Sequence, residues 1–158
     1  DIKNGKLRIH SEENIGRATK KVFVSLPEIT ELSGSSGSNL KTENTIKSNR
    51  LEIDGSTGAQ LRIDLEASSV GIDASSGAYL SISGNTDHIE LDVSSGGNIN
   101  AKELQAQTCD ADASSGGNIK IKVSEKLSAD ASSGGNISYS GNPSIEKKKS
   151  VSGSVHQY

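Results

Sequence analysis

The chain has 158 residues, 31% apolar and 3% aromatic, and its 28 Ser, 17 Gly and 11 Asn make up more than a third of it. That leaves too little large apolar surface for a layered α/β enzyme core, so the chain is either disordered or folded around small side chains. The net charge of −3 gives no strong footprint for nucleic acid, no apolar run is long enough for a membrane span, and the lone Cys109 excludes an intrachain disulfide or a Cys-based zinc cluster.

In chain order, Lys6-Leu7-Arg8-Ile9-His10 and Lys20 to Leu26 alternate like strands but share no repeat. Residues 1–32 are therefore expected to form an irregular N-terminal β segment that caps the rest of the chain. From Ser33 a repeat takes over. Asp112-Ala-Ser-Ser-Gly-Gly-Asn-Ile119 recurs at 130–137 and, with one change, at 92–99; looser copies lie at 73–80, 54–61 and 33–40, and a decayed one at 150–155. Gly37, Gly58, Gly77, Gly96, Gly116 and Gly134 follow one another by 21, 19, 19, 20 and 18 residues. Disorder has no reason to keep such register.

Four columns align across the copies. Leu40, Leu61, Leu80, Ile99, Ile119 and Ile137 are followed two residues on by Thr42, Ile63, Ile82, Ala101, Ile121 and Tyr139. Later come Leu51, Val70, Ile89, Cys109, Leu127 and Ile145, and two residues beyond them Ile53, Ile72, Leu91, Ala111, Ala129 and Lys147. Spacing by two is strand alternation, and Ser-Ser-Gly-Gly is turn chemistry. Short strands within a period near 19 predict an all-β, right-handed parallel β-helix of about six coils, 18–21 residues each, over residues 33–158. A propeller blade or a leucine-rich repeat does not fit this period. Pro143 and Lys147 to Lys149 are expected to blunt the last coil against further strand pairing.

These residues resemble the head GIN-type auto-transporter adhesin family. The resemblance rests on the Asp-Val/Ala-Ser-Ser-Gly-Gly-Asn-Ile runs and on Lys126-Leu127-Ser128-Ala129-Asp130 between them. Ser138-Tyr139-Ser140-Gly141-Asn142-Pro143, Val22 to Pro27 and the closing Ser154-Val155-x-Gln157 also fit. It implies a β-helical protein, secreted or anchored in the envelope of Gram-negative bacteria, with an unsettled biochemical role and no catalytic residues to transfer. It also implies sequence ahead of Asp1.

Several residue sets invite chemistry. Asp54, Asp73, Asp92, Asp112 and Asp130 stack in register. Such a row would take calcium if adjacent coils shared a cation; the plainer expectation is a solvated row ahead of each turn, and no cofactor is expected. Ser75, Ser94, Ser114 and Ser132 head a hydroxyl lattice that would suit a glycan, against a reading as turn residues. Asn39, Asn98, Asn118 and Asn136, with Gln60, would form an amide ladder. His10, His88 and His156 are too scattered for a metal triad, and Cys109 aligns with buried aliphatics. Polysaccharide lyases of pectin type use right-handed β-helices, but here arginines are few (Arg8, Arg17, Arg50 and Arg62) and no insertion builds a cleft. The expectation is thus a non-enzymatic, extracytoplasmic β-solenoid that binds a cell-surface glycan or an envelope protein through a regular polar surface. Nucleic acid and a membrane span are not expected, and the sequence does not fix an oligomeric state.

Overall fold

A computed structural model describes residues 2–10, 21–148 and 152–158. Three short strands, β1 (Ile2–Lys3), β2 (Lys6–Leu7) and β3 (Glu31–Gly34), precede β4 (Asn39–Lys41) and β5 (Ile46–Gly55). Then come four long strands, β6 (Gln60–Ala74), β7 (Tyr79–Val93), β8 (Asn98–Ala113) and β9 (Asn118–Ala131). The chain closes with β10 (Asn136–Ser140), β11 (Ser144–Lys147) and β12 (Ser154–Gln157). No helix occurs among the described residues.

Apart from the antiparallel β1–β2 hairpin, every pairing is parallel and joins one copy of the repeat to the next. The result is a β-solenoid of about seven turns. The turn beyond the expected six comes from the decayed last copy, whose β12 pairs Ser154 with Asn136 and Val155 with Ile137. The six clear motifs undercount because residues 150–155 keep the alternation while losing the Ser-Ser-Gly-Gly signature. Lys149 and Arg17 lie outside the described residues, as does Lys20. Residues 21–26 form no strand and are exposed, so the strand-like alternation there finds no partner.

Each coil is a long extended stretch closed by one tight turn. Alternation lapses at Ser68–Ser69, where two outward residues in succession mark a bend between two sides, and twice in β8, at Lys102–Glu103 and Gln107–Thr108. Through the middle coils the inward columns are those expected: Leu61, Leu80, Ile99, Ile119 and Ile137 stack on one side, and Val70, Ile89, Cys109 and Leu127 on the other, all at most 2% exposed. At the last places of two columns Ile145, at 38%, and Lys147 are exposed instead, because among the described residues no strand beyond β11 covers them. Small residues such as Ala101, Ala111 and Ala129 fill the narrow parts, which is how so few large side chains make a core.

The turns explain the serines and glycines. In each, the residue after the motif's Gly donates its N–H to the carbonyl three residues back, at 2.7–3.1 Å. Both central residues have positive φ: 46–55° at Ser36, Thr57, Ser76, Ser95, Ser115 and Ser133, and 69–78° at the following glycines. This is a type I′ turn, with a non-glycine residue where a left-handed conformation costs roughly 1 kcal/mol or more. A ladder offsets that cost. Each central Gly donates to the central Ser or Thr carbonyl of the next coil, from Gly37 to Thr57 through to Gly134 to Ser152, at 2.9–3.3 Å.

The inner corner beside the turn has two packing solutions. Where the residue before the turn is Gly (Gly34, Gly55), the next coil carries Ala after its turn (Ala59, Ala78) and Leu two residues on (Leu61, Leu80). Where it is Ala or Val (Ala74, Val93, Ala113), the next coil carries Gly (Gly97, Gly117, Gly135) and Ile (Ile99, Ile119, Ile137). A Cβ on Gly55 would lie 2.4 Å from Leu80 Cδ1, and one on Gly97 would lie 2.5 Å from the Ala74 carbonyl oxygen. The corner holds either set, but not a mixture.

Candidate binding surface

The tight turns form a ridge, and Ser75, Ser94, Ser114 and Ser132 lie along it, half-buried, as first residues of their turns. Their backbone groups are spent on the turn and on the preceding coil: Ser75 N–H donates to Gly55 and Ser94 N–H to Ala74, at 2.9 and 3.0 Å. Two sides flank this ridge, one before the turn and one after it.

The side before the turn is acidic. Asp54, Asp73, Asp92, Asp112 and Asp130 pair in unbroken register, with Glu31, Glu52, Glu90, Asp110 and Glu146 in the next outward column. Partial burial, then the neighbouring carboxylates, raise the carboxyls of Asp54 and Asp73 above their usual range. Asp112 is raised by burial too; Lys148 pulls it down, and Asp130 and Asp92 push it up. Among the described residues no three His, Cys, Asp or Glu side chains are grouped to hold a metal ion. His88 sits in the column beside them, its Nδ1 2.9 Å from Thr108 Oγ1 and its Nε2 3.8 Å from Asp110.

The side after the turn differs. Its first outward column is Asn39, Gln60, Tyr79, Asn98, Asn118 and Asn136, and its second is Lys41, Arg62, Ser81, Asn100, Lys120, Ser138 and His156. Neither column contains a carboxylate. The amide ladder is partial: Asn136 Nδ2 donates to Asn118 Oδ1 at 3.4 Å, Asn118 Nδ2 turns to the Gly116 carbonyl, and Tyr79 interrupts the row. Tyr79 projects, 44% exposed, and its hydroxyl accepts from Asn100 Nδ2 at 3.3 Å. Lys102 and Lys122 stand nearby, Lys102 over the Tyr158 ring at 5.0 Å. Ser138 Oγ lies 3.1 Å from His156 Nε2, and His156 Nδ1 faces Ser154 Oγ at 3.4 Å; among the described residues no carboxylate orients that ring as a nucleophilic triad requires. Cys109 is buried, and burial pushes its thiol well up, which leaves it an inert small apolar side chain.

Sequence reasoning found the Ser, Asn and Asp columns but missed this sorting of charge into two sides. The signal was present in the second outward column, where Lys41, Arg62 and Lys120 share a place that carries no acid. That column lies four residues after each motif Gly, ahead of the register shifts that follow Ser81 and Ala101.

Comparison with known proteins fits this architecture. Two crystal structures share the fold. One, titled a putative lipid binding protein from Parabacteroides distasonis ATCC 8503, matches 82% of this chain and 61% of its own at 21% identity, with a TM-score of 0.66. The other, titled a putative adhesin from Parabacteroides merdae ATCC 43184, matches 82% of this chain and 63% of its own at 18% identity, with a TM-score of 0.57. The chain thus spans about three fifths of the length of these neighbours. No curated protein matches it. The family described as "Putative auto-transporter adhesin, head GIN domain" matches residues 1–143, and the chain belongs to that family.

Proposed function

We propose that this protein is a non-enzymatic surface-binding module of the bacterial envelope or exterior, which holds a glycan or an envelope protein on the outer faces of its solenoid. One observation carries the reading: coils of nearly equal length present outward columns in register, with no long insertion between β3 and β11. A shallow depression beside Gln105, Lys122, Ser124 and Asn142 is too open for chemistry that must exclude water. The adhesin family supports an extracellular or envelope setting. Lipid binding, suggested by the name of one neighbour, would have to use the outside, because Leu, Ile, Val and Ala side chains fill the interior. A lyase needs a base facing paired carboxylates across a groove, and Lys41, Arg62 and Lys120 lie across the turn ridge from the aspartate column. A glycan array with a pectate degradation assay beside it tests the reading. Retention of glycans or of envelope material without cleavage is expected; turnover of pectate would overturn it.

A further inference from the structure

We infer that the side after the turn is the binding side and that its ligand is an anionic polysaccharide, bearing repeated carboxylates, laid along the stack. This deepens the surface-binding reading and rests on it. Lys41, Arg62 and Lys120 of the second outward column, and Lys122 two residues beyond Lys120, are exposed and form no ion pair among the described residues, whereas Lys47, Arg50 and Lys126 are each paired with a glutamate. A net charge of −3 hides this, because five aspartates stack in one column across the turn ridge; Asp64, two residues beyond Arg62, is taken up by the hydroxyls of Thr45 and Ser83. Lys41 and Lys120 are four coils apart, about 19 Å at roughly 4.8 Å per coil, so the cations follow the stack axis rather than converging on a point. Each exposed charge contributes little alone; a row of the same sign gathers a polyanion that can meet several at once. Between the cations lie groups suited to sugar hydroxyls: the amides of Gln60, Asn98 and Asn118, and the exposed Tyr79 ring as a platform. The acidic side repels the same polymer and so confines it to the side after the turn.

The columns supply their own substitutions. Ser occupies the place of Arg62 and Lys120 at Ser81 and Ser138, and Asn occupies the place of Tyr79 at Asn98, so Arg62→Ser with Lys120→Ser, and Tyr79→Asn, should leave the coil intact. The probe is polygalacturonate, with its fully methyl-esterified form as the uncharged control, read by affinity electrophoresis and calorimetry in EDTA. The unmodified chain should bind the charged polymer at least tenfold tighter than the esterified one and lose most of that preference by 0.5 M salt. The double serine variant should lose it tenfold or more with unchanged melting, Tyr79→Asn should weaken both polymers, and Glu90→Gln on the opposite side should weaken neither. Equal binding of both polymers, or no loss in the serine variant, would overturn the charge assignment while leaving surface binding standing. Tighter binding to a single-stranded oligonucleotide or to anionic phospholipid vesicles than to polygalacturonate would overturn the polysaccharide. Failure to bind any glycan or envelope material would remove both readings together.

Discussion

The two packings of the inner corner can be exchanged on purpose. The third corner uses Ala74, Gly97 and Ile99; the second uses Gly55, Ala78 and Leu80. Gly97→Ala alone puts a Cβ 2.5 Å from the Ala74 carbonyl oxygen and 2.8 Å from its carbon, both backbone atoms that a side-chain rotation cannot move. Overpacking of this kind costs about 2 kcal/mol. Ala74→Gly alone removes a buried methyl and loosens a strand, at about 1 kcal/mol. Ile99→Leu alone keeps its volume but aims a branch at the Ala74 methyl, as the 2.4 Å approach at Gly55 and Leu80 shows, for about 1 kcal/mol. Independent effects would sum to about 4 kcal/mol, a fall of roughly 8–16 °C in melting temperature for a chain of this size. Together the three changes recreate the Gly55 corner, where a glycine backbone can give way to the alanine. The triple variant should therefore sit within about 1 kcal/mol of the parent in urea titration followed by circular dichroism. A triple variant as unstable as the summed singles would refute the two-solution account of the corner.

The other consequences concern the core, the turns and the ends. Ile119→Asp places an unpaired charge between Ile99 and Ile137 at a fully buried position, so it should abolish the cooperative thermal transition, while Ile119→Val costs only about 1 kcal/mol; an unchanged melt for the aspartate variant would mean that the coil register is wrong. Thr57 holds a β-branched side chain at φ 50°, and Thr57→Asn, better suited to that region, should raise the melting temperature by a degree or more; a lower value would place the Thr57 side chain in a contact that matters more than its strain. Residues 2–10 and 21–28 are exposed, so their amides should exchange well before those of the Ile99–Ile137 stack, and equal protection would show that this segment is held far more firmly than its exposure implies.

Much of the fold was legible in the sequence because a solenoid repeats one physical problem. Each coil meets a nearly identical neighbour, so Ile119 and Ile121 had to point inward if Ile99 and Ala101 did, and Cys109 inherited burial from Val70 and Leu127. The turn was legible as a turn but not as this turn. Ser-Ser-Gly-Gly suits several geometries, and the positive φ of Ser76 or Ser95 is tolerable only with the inter-coil ladder, which no single copy reveals. The alternation of Gly34 with Ala59 against Ala74 with Gly97 was visible as letters. Its meaning appears only when the residue before one turn is set against the residue after the next. The charge sorting was also present as letters, since Asp54 to Asp130 lie four residues before each motif Gly and Lys41, Arg62 and Lys120 four after it. It becomes two sides only when the turn is known to fold one stretch back beside the other, and Lys102, Glu103 and Leu104, without a counterpart in β9, blur only the residues beyond.

The acidic side sets the last expectation. Asp73, partly buried between Asp92 and Asp54, and Asp54, partly buried beside Glu31 and Glu52, take up protons more readily in the folded chain than in the unfolded one. Their raised values mean that the fold is least disfavoured by these groups at and below the unfolded value of 3.8, and that this relief is lost as the pH rises through the folded value. At neutral pH the repulsion is fully present. Asp73→Asn removes it from the middle of the row, where Asp54 and Asp92 lie in register on either side. Discounted for solvent screening at so exposed a site, the gain is about 0.5 kcal/mol, or roughly 1–2 °C in melting temperature at pH 7 and low salt. It should shrink as the pH falls toward 4, because the parent then protonates the same group, and shrink again at 0.5 M salt, where screening acts over less than the distance between coils. A gain that grew on acidification, or that survived high salt unchanged, would mean that Asp73 limits stability through packing rather than charge.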